Sequence, residues 1–164
     1  MSLPDRYTKV ASPVGDLVLL GDGRSLCACL FEDDEHPVAI GPQLRRDDDA
    51  FADAVAQLDE YFAGGRTEFD LALDPDGTEF QQRVWAALRT IPYGATRSYG
   101  EVAAQIGSPN GSRAVGLANG RNPIAIIVPC HRVIGANGTL TGYAGGMDRK
   151  RYLLDLEAGQ PSLV

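Results

Sequence analysis

"TEFQQRVWAALRTIPYGATRSYGEVAAQIG", residues 78–107, decides the fold of the second half of the chain because it contains two helix starts of one type. Thr78 is followed three residues later by Gln81, and Ser98 by Glu101. Each pair matches a capping box, in which two side chains accept hydrogen bonds from free backbone N–H groups at a helix start. Four apolar residues then share one face of the first predicted helix: Phe80, Val84, Leu88 and Ile91. The stretch therefore predicts two consecutive helices, which end at "IPYG" and at Gly107.

A third short helix, "SRAVGLANG" at residues 112–120, is predicted after the turn "SPNGS". Two short helices joined by a turn that contains glycine form a helix-turn-helix, a pattern that many helical proteins share. One face of this third helix combines an arginine with two glycines: Arg113, Gly116 and Gly120. We expect three other positions to face the core: Ala114, Leu117 and Ala118. The arginine and the side-chain-free positions favour the approach of a nucleic-acid strand, and tight packing against another helix is the alternative.

The first half of the chain mixes strand and helix signals. "SPVGDLVLLGDGRSLCACLFEDD" at 12–34 predicts a β-hairpin around "GDG", and "EFDLAL" at 68–73 predicts another strand. Between them, "AFADAVAQLDEYFAGG" at 50–65 predicts a helix. Its expected apolar face consists of Phe51, Val55, Leu58 and Phe62. "DPDG" at 74–77 predicts a turn and a boundary between an α+β domain, 1–74, and a mainly helical domain, 75–164.

The composition is that of an ordinary globular protein, with 164 residues of which 44% are hydrophobic and 23% charged. The first residues show no secretory signal, and the apolar run "PIAIIVPC" is too short to cross a bilayer. Three cysteines are an odd number, and their spacing does not suggest a disulfide framework. We therefore expect a reduced, cytoplasmic protein that does not associate with membranes.

Charge divides the chain at the same boundary. Residues 1–74 hold 16 acidic and 6 basic residues, a net charge of −10, whereas residues 75–164 hold 6 and 9, a net charge of +3. Between Arg83 and Arg132 there are six arginines and a single acidic residue, Glu101. Such asymmetry indicates a polyanionic partner for the second half, and a solvated basic surface is the alternative.

"IVPCHRVIG" at residues 127–135 places Cys130 beside His131. A cysteine attacks as thiolate, so it needs a base or a positive field nearby. Neighbouring side chains in a strand point to opposite faces, so contact would require a bend after Pro129 or a bridging water. A buried thiol beside an unrelated imidazole is the alternative, and the dipeptide does not decide between them.

"MDRKRYLLDLEAG" at 147–159 predicts a C-terminal helix with Asp148 as its N-cap. Three basic residues lie in its first turn and Glu157 in its last, against the helix dipole. A carboxylate at that end needs a compensating partner, and a histidine held by it would complete a Cys130–His131–Glu157 relay. A surface glutamate at a frayed helix end is the alternative.

The chain resembles the O6-alkylguanine-DNA alkyltransferases in "NPIAIIVPCHRVIG", in "GTLTGYAGG" after it and in "FQQRVWAALRTIPYGATRSYGEVA" before it, and more weakly in "SPVGDLVLL". The resemblance implies an N-terminal ribonuclease-H-like α/β domain and a C-terminal helical domain with a winged helix-turn-helix-like motif. It implies a repair protein without metal or organic cofactor. Such a protein binds the minor groove of double-stranded DNA, flips out an O6-alkylguanine, and also accepts O4-alkylthymine.

The same resemblance implies roles for individual residues. Cys130 would accept the alkyl group irreversibly, His131 would remove its proton through a water, and Glu157 would orient His131. Tyr99 would rotate the phosphate and help guanine leave, and Arg113 would enter the stack in place of the base. Ser112, Gly100 and Gly116 would complete the DNA contacts. Asn122 would join the recognition helix to the substrate pocket, which Val133, Tyr143 and Ala144 would line.

Three further interpretations accompany this one. A Cys-His-Glu hydrolase would use the same triad, and a non-catalytic lesion-binding protein would use the same helix. Cys27, Cys29 and His36 could be considered for zinc, but i and i+2 positions on a strand with a distant histidine make a poor tetrahedral set, so core packing is expected. We expect a monomer in solution, with cooperative assembly on DNA as a possibility for this family.

Overall fold

The computed structural model describes residues 3–33, 41–140, 142–143 and 145–159. The chain divides into two compact units. One comprises residues 1–76 together with 123–127, and is called the sheet unit here; the other comprises 77–122 and 128–164, and is called the helical unit. The predicted fold class, a sheet-containing N-terminal part followed by a helical part, is confirmed. The boundary at residue 74 stays a prediction.

The sheet unit is built on four strands in the order β3-β2-β1-β4. They are β1, Arg6–Val10; β2, Leu17–Gly21; β3, Leu26–Phe31; and β4, Arg45–Arg46. β1, β2 and β3 are antiparallel neighbours, while β4 runs parallel to β1. The predicted hairpin is confirmed as β2 and β3, and Gly23 in its turn has φ +89°, a conformation that glycine adopts without steric cost.

One predicted strand of this unit is wrong. Within "EFDLAL" the backbone pairs with the sheet only around Leu73, which bridges Leu26. Leu26 donates its N–H to the Ala72 carbonyl at 2.9 Å, and its own carbonyl accepts from the Asp74 N–H at 2.9 Å. Upstream, the Gln57 side chain on α1 donates to the Asp70 carbonyl and accepts from the Asp70 N–H. The backbone groups of Asp70 are therefore bonded to a helix side chain and not to a strand.

Helix α1, Ala52–Phe62, is shifted in phase from its predicted face. Leu58 and Tyr61 are fully buried and Ala54 and Gln57 are buried, whereas Val55 and Phe62 are half-buried. The correction arises because the helix buries the large Tyr61 ring against Phe69, with ring centroids 5.4 Å apart. That contact turns the helix by about one residue from the predicted face, which consisted of Phe51, Val55, Leu58 and Phe62.

A later piece of chain covers the free edge of β3. Cys29 donates its N–H to the Pro123 carbonyl, and its carbonyl accepts from the Ala125 N–H, both at 2.9 Å. Residues 123–127 therefore belong to the sheet unit although they lie just before Cys130 in sequence. This pairing satisfies edge groups that would otherwise need water or another strand.

The helical unit contains α2, Glu79–Leu88; α3, Tyr99–Gln105; α4, Ser112–Gly120; and α5, Met147–Glu157. Both predicted capping boxes are confirmed, at Thr78 with Gln81 and at Ser98 with Glu101. Two short strands, β5 at Arg97–Ser98 and β6 at Val133–Ile134, pair in parallel. The Trp85 indole donates to the Ala118 carbonyl at 2.8 Å, which fixes α4 against α2.

Two expectations about the helices are wrong, one about the buried face of α4 and one about the N-cap of α5. In α4 the buried residues are Val115, Ala118 and Asn119, so Ala114 and Leu117 face outward. The Trp85 hydrogen bond to Ala118 sets this phase. α5 has Gly146 rather than Asp148 as its N-cap, because Gly146 adopts φ +93° and lets the helix begin two residues earlier, at Met147.

Among the described residues, no helix is long and apolar enough to cross a membrane.

Candidate active site

Two consecutive tight turns form the segment around Cys130. Pro129 has φ −82° and ψ 64°, and the Cys130 N–H donates to the Val128 carbonyl at 2.8 Å, which is the geometry of an inverse γ-turn. One turn of 3-10 helix, Cys130–Arg132, follows directly. The backbone therefore bends at Pro129, and Cys130 and His131 are not on opposite faces of a strand.

The end of α5 meets this turn at Glu157. His131 Nε2 lies 2.7 Å from Glu157 Oε2, and both side chains are buried. Arg132 grips the same carboxylate with two nitrogens, Nε at 2.7 Å from Oε1 and Nη2 at 3.0 Å from Oε2. Its third donor, Nη1, bonds the Ile91 carbonyl at 2.7 Å. The acid at the unfavourable end of the helix dipole is thus balanced by a buried guanidinium and an imidazole.

The carboxylate fixes the tautomer of His131. An ionised carboxylate only accepts hydrogen bonds, so Nε2 must carry the ring proton. Nδ1 then carries the lone pair, and within the described residues this buried atom has no hydrogen-bond partner. Burial lowers the pKa of His131 below 6.5, although Glu157 opposes that shift, so the imidazole is neutral at neutral pH. A neutral ring with a free Nδ1 can take up a proton.

Cys130 is buried among polar groups. Burial raises the pKa of its thiol above 9.0, so the resting protein holds a thiol rather than a thiolate. Three neighbours lower that pKa again, a hydrogen bond with the Asn122 side chain, the charge of Lys150 and a hydrogen bond with the Tyr143 side chain. This surrounding favours a thiolate once a base removes the proton.

Lys150 is the functional residue that the sequence prediction missed most clearly. Its side chain is fully buried, and Nζ donates to the Val133 carbonyl at 2.6 Å. Burial lowers the pKa of Lys150, while the Cys130 thiol opposes that shift. The available signal was the run of basic residues at the start of α5, which we interpreted only as a dipole mismatch. A fully buried lysine beside a thiol indicates a functional position.

Two asparagines at the end of α4 hold the backbone of the Cys130 segment. Asn122 Nδ2 donates to the Val128 carbonyl at 2.8 Å, and Asn119 Nδ2 donates to the Cys130 carbonyl at 3.3 Å. Asn122 was predicted to join α4 to the substrate pocket, whereas Asn119 was not singled out. The cysteine segment is therefore tied directly to the helix that carries Arg113.

The residues predicted to contact DNA meet where α3 faces α4. Tyr99 opens α3 and is half-buried, and a Cβ at Gly116 would lie 3.8 Å from its ring. A Cβ at Gly100 would lie 3.7 Å from Ser112 Oγ. Arg113 is exposed at the start of α4. These five residues are brought together on the surface that the two helices share.

The predicted pocket is described in part. Tyr143 is half-buried and contacts Cys130, and Val133 is fully buried with its carbonyl on Lys150. Ala144 lies outside the described residues, as does His36 of the zinc interpretation. Cys27 and Cys29 are both buried in β3, where burial is the main cause that raises the pKa of their thiols to about 11 and about 12.

Comparison with family models matches almost the whole chain. Residues 6–75 match "6-O-methylguanine DNA methyltransferase, ribonuclease-like domain", and residues 79–159 match "6-O-methylguanine DNA methyltransferase, DNA binding domain". The first match falls in the sheet unit and the second is centred on the helical unit.

Individual relatives agree with these matches. The methylated-DNA–protein-cysteine methyltransferase of Mycobacterium tuberculosis is 60% identical over 152 residues, 92% of this chain and 91% of that protein. The protein of the same name from Methanosarcina acetivorans is 54% identical over 151 residues, 92% and 97% of the two chains. The crystal structure of Mycobacterium tuberculosis OGT in complex with DNA has a TM-score of 0.90 and 57% identity, and covers 96% of both chains.

Proposed function

This chain belongs to the 6-O-methylguanine DNA methyltransferase family, and from that premise we propose that Cys130 itself accepts the alkyl group of an O6-alkylguanine in duplex DNA. The protein is a DNA-repair alkyltransferase that binds DNA. What is proposed beyond that are the residues, the lesion and the course of the reaction.

The observation that carries the proposal is the pairing of a buried thiol with a base of fixed tautomer. One 3-10 turn holds both Cys130 and His131, and Glu157 lies 2.7 Å from His131 Nε2. Nδ1 is buried and has no hydrogen-bond partner in the part of the chain that the structure describes. A neutral imidazole with its second nitrogen anchored is the arrangement in which histidine acts as a general base.

The reaction is a displacement at the alkyl carbon. His131 Nδ1 takes the proton of the Cys130 thiol through a bridging water, which gives thiolate and imidazolium. The sulfur then forms a bond to the alkyl carbon while the bond from that carbon to guanine O6 breaks. The leaving guanine receives a proton that the Tyr99 hydroxyl donates, and solvent then carries the proton of the His131 imidazolium to the Tyr99 oxygen. The net products are unmodified guanine and S-alkylcysteine. Because a thioether is stable, each molecule acts once.

Lys150 and Asn122 support this step from the thiol's side. The raised pKa of Cys130, caused by burial, means that the thiolate must be produced during the reaction. The Lys150 charge and the Asn122 and Tyr143 hydrogen bonds then stabilise the anion in a site from which bulk water is excluded. Arg132 keeps Glu157 ionised, and through it keeps the ring proton of His131 on Nε2.

On the DNA side, we assign α4 to the minor groove. Arg113 is exposed on it, and five of the six arginines between residues 83 and 132 supply charge for phosphates, since the sixth, Arg132, is buried and paired with Glu157. Arg113 fills the gap that the flipped guanine leaves, and Tyr99 contacts the phosphate beside that gap. Gly100, Ser112 and Gly116 allow the strand close to α3 and α4, while Val133 and Tyr143 line the pocket that receives the base. O4-alkylthymine is a second substrate. The protein acts in the cytoplasm, and it is a monomer until it assembles on DNA.

The experiment is a mass measurement after incubation with a duplex that contains one O6-methylguanine. We expect one added methyl group per molecule, on the peptide that contains Cys130, with no further gain when DNA is in excess. Cys130→Ser should bind the duplex and gain no mass. A methyl on another residue, repeated turnover, or hydrolysis of a peptide or ester substrate would contradict the proposal.

Arg113→Ala provides a second arm. This variant should repair duplex DNA poorly, because nothing then supports the flipped-out state, and react nearly normally with free O6-methylguanine. Equal losses with both substrates would show that Arg113 acts in some other way.

A further inference from the structure

Leu117 is an exposed leucine in the middle of α4. Among the described residues three large apolar side chains are exposed, and Leu3, at 83%, and Met147, at 40%, lie near a chain end or a helix start. Leu117 is 69% exposed although it lies five residues into a nine-residue helix. The sequence predicted it in the core, and the structure places it on the surface.

The helix geometry puts Leu117 at the centre of the exposed face. At about 100° per residue, Arg113 and Arg121 each lie about 40° from Leu117, one on either side. Both arginines are exposed. Two of the three buried residues of α4, Val115 and Asn119, lie on the opposite side, and the third, Ala118, lies about 100° from Leu117. A single apolar side chain is therefore flanked by two cations, one turn before it and one turn after it.

The rest of this face is small and carries no acid. We use "α4 face" for Arg113, Ala114, Leu117, Gly120 and Arg121. A Cβ at Gly120 would meet nothing within 4 Å, so the surface beside Leu117 is open. A lone exposed leucine is ordinary. A leucine between two arginines, on a helix within the matched DNA-binding domain, fits a partner with anionic edges and an apolar interior.

We propose that Leu117 packs into the minor groove of DNA, against the deoxyribose walls and base edges, while Arg113 on one side of it enters the base stack and Arg121 on the other side reaches a strand phosphate. The inference rests on the proposed function only in taking α4 as the DNA-binding helix. The walls of the minor groove are apolar sugar rings between two rows of phosphates, which matches the order of charge and apolar surface on the α4 face. Proteins that bend DNA from this groove use leucine and similar side chains as apolar wedges.

The test compares the same truncation at two exposed leucines. Leu117→Ala and Leu3→Ala each remove an exposed side chain, and alanine is well tolerated in a helix. The measurement is the affinity for an unmodified duplex at several salt concentrations, together with the ratio of methyl-transfer rates on duplex and on free O6-methylguanine.

We expect Leu117→Ala to bind the duplex about tenfold more weakly, since burial of a leucine side chain is worth about one to two decades in affinity. The slope of log affinity against log salt should not change, because no phosphate contact is lost. Arg121→Gln should instead reduce that slope by about one. Leu117→Met should bind like the parent, Leu117→Gln like Leu117→Ala, and Leu3→Ala like the parent. The duplex-to-free-base rate ratio should fall about tenfold for Leu117→Ala.

Equal affinities for Leu117→Ala and Leu3→Ala would overturn the inference. The inference would also be overturned if Leu117→Ala sedimented differently from the parent in the absence of DNA but bound DNA equally well. That result would make the α4 face a contact between copies of this chain. Neither result depends on methyl transfer. If the parent protein fails to gain a methyl group, the proposed function falls while the affinity comparison still decides the role of Leu117.

Discussion

Cys29 in the sheet unit and Cys130 in the helical unit are both buried thiols, but their surroundings differ. Cys29 is fully inaccessible on β3, where burial raises its pKa to about 12. Burial raises the pKa of Cys130 as well, yet Asn122, Lys150 and Tyr143 each oppose it. The two cysteines thus differ in their polar neighbours and not in exposure, and Cys130 alone is followed by a histidine whose Nδ1 has no hydrogen-bond partner among the described residues.

The comparison shows where burial of charge serves chemistry. In the sheet unit, ion pairs such as Lys9 with Glu32 lie at the surface, with both side chains about 40% exposed. In the helical unit, His131, Arg132 and Glu157 are buried together. Desolvating three such groups is costly unless each is paired, and proteins retain such clusters mainly where they act.

The largest expected effect tests directly whether Cys130 and Cys29 differ in reactivity. Cys130→Ala should abolish methyl acceptance from an O6-methylguanine duplex, whereas Cys29→Ala should still gain one methyl group per molecule. Alanine in the place of a buried cysteine creates a small cavity in both variants, so a general loss of stability would affect both. Intact mass after incubation decides. A methylated Cys130→Ala protein would contradict the assignment.

Removing the base should leave the Cys130 thiol, like the Cys29 thiol, without a histidine that can take its proton. His131→Gln can still donate to Glu157 but cannot accept a proton, so we expect the single-turnover rate to fall about 10²- to 10⁴-fold. In the parent protein the rate should be constant above pH 6.5, because the lowered pKa keeps His131 neutral, and fall only in more acidic solution. In the variant the rate should rise with pH toward the raised pKa of Cys130.

The same DNA affinity in both proteins would serve as the control. Parallel pH profiles would show that His131 is not the base.

How far these features could be predicted from sequence depends on whether their cause is local. The capping boxes at Thr78 and Ser98 fix helix starts through contacts over three residues, and both were predicted. The hairpin of β2 and β3 was predicted from its glycine turn. The partnership of His131 with Glu157 was a hypothesis from a carboxylate that opposes the dipole, and the two atoms lie 2.7 Å apart.

Features set by distant contacts were missed. The phase of α4, which exposes Leu117, follows from the Trp85 hydrogen bond to Ala118, 33 residues away. Ile126 adopts φ +73° inside a γ-turn, a conformation that a β-branched residue rarely adopts, and this turn is held to the distant strand β3 by the Ala125 N–H, which donates to the Cys29 carbonyl. Periodicity could not indicate that Lys150 is buried, because lysine is almost never fully buried without a partner.

A matched change of two carboxylates sharpens the contrast between buried and exposed ion pairs. Glu157→Gln leaves Arg132 buried with its charge uncompensated, and we expect the free energy of unfolding to fall by about 3–5 kcal/mol. Glu32→Gln removes a surface partner of Lys9 and should leave the unfolding midpoint unchanged. Urea denaturation followed by circular dichroism measures both.

The double variant Glu157→Gln, Arg132→Gln should recover part of the loss, because no unpaired charge remains. If Glu157→Gln proves as stable as Glu32→Gln, the buried cluster does not hold α5 in place.

A smaller effect is expected from the lysines. Lys150→Met removes the cation that stabilises the Cys130 thiolate, so the pKa of the thiol should rise further and the methyl-transfer rate should fall about tenfold, the change that one pKa unit produces. Lys9→Met, the matched change at an exposed position, should leave the rate unchanged. An unaltered rate in Lys150→Met would limit Lys150 to its hydrogen bond with Val133.

The smallest effect concerns the free energy of unfolding as a function of pH, which we expect His131 to change in acid (the acidic limb) and the buried thiols of both units to change in alkali (the alkaline limb). The lowered pKa of His131 means that below 6.5 the unfolded chain binds a proton that the folded protein does not. Stability should therefore decrease as the pH falls below 6.5, by at most about 1.4 kcal/mol per pH unit for one proton. The charged groups that face this imidazole are Glu157, Arg132 and Lys150.

His131→Gln should remove this loss between pH 6.5 and about 5, whereas carboxylates with lowered pKa values, such as Asp48 and Glu101, act only near and below their ordinary values of 3.8 and 4.5.

Above pH 9 the dependence of stability on pH reverses its sign. There the unfolded chain releases thiol protons that Cys27, Cys29 and Cys130 retain in the folded protein, so stability should fall as pH rises. Cys29→Ala should weaken the alkaline limb and leave the acidic limb intact, and His131→Gln should do the opposite. Urea midpoints measured from pH 5 to pH 10 test both limbs, and a variant that flattens the wrong limb would contradict the assignment of that limb to its residue.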